Sequence, residues 1–162
     1  MKSHLITFGL VSLLLLIAMG ICTLLTFGFL MLSFEDYHFT WLIYAAGVLN
    51  PIVYAALGYF SHRVSLFRRS ATKHKLITLT AWLLLFGIGA LIRYDGDALY
   101  NLPFWVTART CFFPLYPKFA TRFSMTVLEP LALALAHVLV FAAMALGMYI
   151  AARRSRERND QE

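Results

Sequence analysis

LITFGLVSLLLLIAMGICTLLTFGFLMLS, residues 5–33, carries no charged residue and no proline. A hydrocarbon layer roughly 30 Å thick needs about 20 apolar residues of helix, each rising about 1.5 Å. Three further runs approach or meet that length: 39–60, 76–93 and 126–152. In lipid every backbone polar group needs an internal partner, and none of the runs shows the alternation of a barrel strand. The sequence therefore predicts an all-α integral membrane protein with four transmembrane helices.

Composition points the same way. The chain has 162 residues, 60% of them hydrophobic and 14% charged, with a mean hydropathy of +0.72. Soluble domains average roughly 45–50% apolar and about 25% charged residues. So few charges cannot coat a water-facing globule. The runs use most of the sequence, which makes 1–152 a single four-helix domain followed by a basic cytoplasmic tail, 153–162, expected to be disordered. No internal repeat is evident. The first run begins after Lys2 and His4 like a secretory leader, but it far exceeds the roughly 7–15 apolar residues of one. The residues before Cys22, Ala18-Met19-Gly20-Ile21, lack the small residue of a lipoprotein cleavage site. A retained, tilted span is expected. Cys22 falls near mid-span and Cys111 in a loop, depths that disfavour a disulfide, which needs Cα atoms within about 7 Å. Neither belongs to a CxxC pair.

The formal charge is +6. Arg63, Arg68, Arg69, Lys73 and Lys75 crowd one short loop, 61–75, and Arg153, Arg154, Arg156 and Arg158 follow the last run. Juxtamembrane cations mark the cytoplasmic side and meet anionic headgroups; nucleic acid is not an expected partner. With Lys2, ten of the 14 Lys and Arg then lie inside. Both termini are expected in the cytoplasm of a cell-membrane protein, with 94–125 outside. That loop holds Tyr94, Tyr100, Phe104, Trp105, Phe112, Phe113, Tyr116, Phe119 and Phe123 among Arg109, Lys118 and Arg122. It is too aromatic for disorder and too long for a simple connection. Short interfacial helices are expected, broken near Pro103, Pro114 and Pro117, lying on the outer leaflet or capping the bundle. Trp105, Arg109, Tyr116 and Arg122 are its candidate docking or lid residues.

A few polar groups fall at membrane depth. Asn50-Pro51 lies about a dozen residues into the second run. Pro51 has no N–H and is expected to kink the helix. Asn50 and Tyr54 are four apart and share a face. His137 lies about a dozen residues into the fourth run, entered from the same side, so Asn50 and His137 are expected at one depth. A polar cavity lined by Asn50, Tyr54 and His137 is one reading; a structural interhelical hydrogen bond is the other. Glu129-Pro130 suits the first turn of the fourth helix. Glu129 lies about 12 Å along the axis from His137, too far for direct contact. Ala132, Ala136, Ala143 and Gly147 form a small-residue stripe on the fourth helix; Ala55 and Gly58, and Gly87 and Gly89, mark close approaches on the second and third.

No catalytic motif is present: no GxSxG, HExxH, phosphate-binding loop or dinucleotide fingerprint. Asp95-Gly96-Asp97 reads as a turn rather than a cation site. No metal and no cofactor is expected. The leading expectation is a small accessory, assembly, immunity or regulatory subunit that acts through helix and loop contacts. Its partners would be the lipid bilayer and another membrane protein or a second copy. The alternative is a transporter or channel subunit using Asn50, Tyr54 and His137; an intramembrane lipid-modifying enzyme has least support.

Overall fold

The computed structural model describes residues 2–35, 41–92, 103–104, 106–107 and 125–159. All the regular structure among them is helical, with no strand. Helix α1 spans Lys2–Glu35, α2 Trp41–Ser61, α3 Ser65–Arg69, α4 Thr72–Ile92 and α5 Met125–Asn159. Two stretches, His4–Leu32 in α1 and Leu131–Glu157 in α5, are long and apolar enough to cross a membrane.

The helices close a ring in which α1 packs on α2 and α4, and α5 packs on α2 and α4. Contacts along their lengths fix the directions. His4 touches His74, with ring centroids 3.6 Å apart, and Phe8 stacks near Trp82 further along both helices, so α1 and α4 run parallel. Trp82 Nε1 donates to Ser12 Oγ at 2.8 Å, which pins the same pair. Arg154 reaches Tyr59 at the far ends of α5 and α2. The start of α1, the turn from α2 through α3 to α4, and the end of α5 thus gather at one end of the bundle. The cations of 61–75 and of the α5 end share it.

Small residues bring α2 and α5 together. A Cβ at Gly58 would meet the Met144 carbonyl oxygen, and one at Gly147 would meet the carbonyl oxygen of Ala55. Both obstacles are backbone and cannot swing away. Ala132 and Ala136 of the same stripe are buried. Gly87 and Gly89 behave differently: a Cβ at either meets nothing within 4 Å. They mark no close approach, contrary to the expectation from their spacing.

Three boundaries depart from the sequence reading. The basic loop 61–75 contains α3, a single turn anchored by Phe67, which is buried beneath the Lys75 ammonium at 4.5 Å from its ring centroid. The expected disordered tail is instead the last part of α5, helical to Asn159. Arg, Glu and Ala are good helix formers, extension of an existing helix needs no new nucleus, and Arg153 Nε donates to Glu157 Oε1 at 2.8 Å one turn on. Cations also suit a helix C-terminus. Finally, α5 begins at Met125, so Glu129-Pro130 falls in its second turn and does not open it.

Candidate functional site

Near the middle of α2, Asn50 is 1% exposed. Its Nδ2 lies 2.9 Å from the Pro103 carbonyl oxygen, 3.2 Å from Thr107 Oγ1 and 3.4 Å from Thr26 Oγ1 of α1. An amide nitrogen has two hydrogens, so three acceptors share them. The amide orientation follows from this network, since all three neighbours within reach can accept. Thr107 Oγ1 in turn donates to the Pro103 carbonyl at 2.8 Å. Cys22 Sγ of α1 lies 3.9 Å from the Asn50 carbonyl oxygen.

His137 of α5 is fully buried in the same layer. Its Nδ1 sits 2.7 Å from the Leu133 carbonyl. A carbonyl can only accept, so Nδ1 carries the proton and Nε2 presents a lone pair. Two rings lie nearly parallel to the imidazole. Phe104 stacks on it at 3.9 Å between centroids with planes 13° apart, and Phe86 of α4 lies at 6.0 Å and 14°. Tyr54, one turn after Asn50, is buried beside Phe104 at 6.4 Å.

Residues 103–104 and 106–107 are helical and buried, inside the bundle between Asn50 and His137. Of the two placements expected for the aromatic loop, these four residues do not take the surface one. The physical reason is local. A carbonyl one turn from a threonine offers Asn50 two acceptors, and Phe104 offers His137 a flat apolar face. Pro51 lies inside α2, which continues on both sides of it. Trp105, Arg109, Tyr116 and Arg122 lie outside the described residues, as do Cys111 and Asp95–Asp97.

Three buried polar atoms in this layer have no hydrogen-bond partner among the described residues: Asn50 Oδ1, Tyr54 OH and His137 Nε2. Two are acceptors and the phenol can serve either way. The set is neutral and suits a small donor such as water or a hydroxyl group. It contains no carboxylate. Among the described residues no group of three His, Cys, Asp or Glu is placed to hold a metal ion.

Sequence reasoning selects Asn50 and His137 by depth, and Tyr54 by its spacing of four from Asn50. It misses Thr26, Phe104 and Thr107. A Thr four residues after Pro103 is a weak signal, because its meaning depends on a tertiary contact with Asn50 that no periodicity announces. When the chain is compared with known proteins, no family model, no curated protein and no solved structure matches it.

Proposed function

We propose that the chain is a four-span membrane protein without catalytic chemistry of its own, acting as an accessory, assembly, immunity or regulatory subunit through its helix faces and its aromatic loop. The single observation that carries this reading is the occupied core. The polar side chains best placed to line a conduit hold the chain's own Pro103 carbonyl, Thr107 hydroxyl and Phe104 ring. Asn50 and His137 act as a latch that fixes one point of the 94–125 loop, which then offers Trp105, Arg109, Tyr116 and Arg122 to a partner.

The membrane assignment draws on three further observations. Two stretches are long and apolar enough to span. Helices α2 and α4, 21 residues each, reach about 31 Å, the thickness of a hydrocarbon layer. Large apolar side chains such as Leu5 and Leu24 stand about three-quarters exposed, a surface that lipid would cover. The shared basic end supports cytoplasmic termini in a cell membrane.

The test is gentle purification followed by mass spectrometry of co-purifying proteins, repeated with Trp105→Ala and Arg109→Ala. A stoichiometric membrane partner released by these variants, with the bundle's melting unchanged, is the expected result. A second reading, a subunit passing a proton or small polar solute, is favoured by the unpartnered Asn50 Oδ1, Tyr54 OH and His137 Nε2. In that case purified protein in sealed vesicles would show a pH-dependent flux that His137→Ala abolishes. Such a flux would replace the accessory reading.

A further inference from the structure

The basic end of the bundle is more than a scatter of solvated charge. A cleft of about 310 Å³ opens between the end of α2, α3 and the end of α5, lined by Tyr59, His62, Arg63, Arg68, Arg154 and Ser155. Its arginines come from sequence positions some ninety residues apart. Two of them are held by the fold. Arg154 Nη1 donates to Tyr59 OH at 3.1 Å and its guanidinium lies 5.7 Å from that ring; the Arg63 guanidinium lies 4.9 Å from the Phe60 ring. Because the Tyr59 oxygen accepts from Arg154, its own proton is left to donate outward. Among the described residues, no carboxylate pairs with Arg63, Arg68 or Arg154. Arg153, beside them in sequence, is paired with Glu157 and does not line the cleft.

We propose that this cleft is a binding site for a phosphate group. Guanidinium forks match phosphate oxygens two at a time, and charge-assisted hydrogen bonds are the strong ones. Three forks with no carboxylate partner among the described residues, together with a phenol and a serine hydroxyl, supply donors for the oxygens of one phosphomonoester. An orientation signal alone would need charge at this end, but not convergence on one cleft or the fixing of Arg154 by Tyr59. The phosphate has two possible sources, a lipid headgroup or a free phosphate in solution. The site does not depend on the accessory reading.

The full-length protein in an uncharged detergent is titrated with inorganic phosphate by calorimetry. Separately, it is placed in phosphatidylcholine nanodiscs with or without phosphatidic acid, and retained lipid is read by native mass spectrometry. Binding to at least one probe is expected. Inorganic phosphate binding that displaces phosphatidic acid assigns free phosphate as a ligand; retention of phosphatidic acid alone assigns the headgroup. Arg154→Gln and Arg68→Gln should each weaken binding about tenfold, as expected for one lost charge-assisted hydrogen bond. Arg153→Gln and Arg69→Gln, which remove the same charge outside the cleft, should change it less than about twofold. Among the described residues the Arg68 side chain makes no hydrogen bond or ion pair, so its variant keeps the test independent of folding. Equal losses in all four variants would overturn the site in favour of a diffuse positive potential, as would failure of both probes to bind.

Discussion

Asn50 is the residue on which the interior layer turns, because its side-chain donor is shared between Thr26 of α1 and the buried Pro103 and Thr107. In one membrane protein, interhelical hydrogen bonds average about 0.6 kcal/mol with a maximum near 1.7. Three acceptors sharing two hydrogens therefore suggest about 1–2 kcal/mol for the whole hub. Asn50→Ala should lose that much stability in detergent unfolding. Asn50→Asp is nearly isosteric, but it turns the donor into an acceptor facing a carbonyl and two hydroxyl oxygens, so it should lose more than Asn50→Ala. An Asp variant as stable as the wild type would mean that Nδ2 does not face those oxygens. A second prediction concerns His62, outside the proposed spans. Burial, Lys75 and Arg68 all hold its pKa below the ordinary 6.5. The unfolded chain then takes up a proton that the folded chain refuses. The His62 contribution is present above about pH 6.5 and is lost as pH falls below it. Half-burial and solvent screening keep the effect small. Melting curves across pH 5–8 should slope less for His62→Gln than for the wild type; equal slopes would remove His62 from the account. The common layer of Asn50 and His137 is legible in the sequence, because each lies a similar distance into a helix entered from the same end. The partners of Asn50 are not, since no sequence pattern announces that Pro103 and Thr107 pack against it.

At the scale of elements, the four long helices follow from run length alone, and their ends differ from the apolar runs by a few residues. What the runs cannot show is where helix continues past apolarity. The α5 extension to Asn159 rests on helix propensity, a Arg153–Glu157 pair and a nucleus already formed. Likewise α3 needs only Phe67 to tuck beneath Lys75, a contact with no periodic signature. Glycine spacing is equally ambiguous. Gly58 and Gly147 sit against opposing backbone, whereas Gly87 and Gly89 face open space. Gly58→Ala and Gly147→Ala should each destabilise by about 1–3 kcal/mol, the range for overpacking. Gly87→Ala should be neutral or stabilise by up to about 1 kcal/mol, because alanine is the better helix former and nothing obstructs it. Thermal unfolding of the three variants under one detergent condition checks the contrast. A Gly147→Ala variant as stable as the wild type would contradict the close approach of α2 and α5.

Across the whole molecule, the arrangement of charge and the ring of helices lead to one testable orientation. α1 and α4 leave the basic end, whereas α2 and α5 return to it, so the N-terminus, α3 and the end of α5 belong on one side of any membrane the bundle crosses. That side holds Arg63, Arg68, Arg69, Lys73 and Lys75 together with Arg153, Arg154 and Arg156, and positive charge is retained on the cytoplasmic face. In a background with Cys22 and Cys111 replaced by alanine, single cysteines are introduced at Arg69, Arg156 and Asp97. Intact cells are then treated with a membrane-impermeant maleimide. The cysteine at Asp97 should label in intact cells, and those at Arg69 and Arg156 only after the membrane is opened. Labelling of Arg69 and Arg156 on opposite sides would break the four-span reading, since the ring requires an even number of crossings between them. Labelling of both from outside would keep the bundle and invert it, and the phosphate cleft would then face the extracellular medium. The cysteine at Asp97 reports separately on the loop: if it shares a side with Arg69, α4 does not cross, and the exposed apolar faces of α1 and α5 would need a protein partner rather than lipid to cover them.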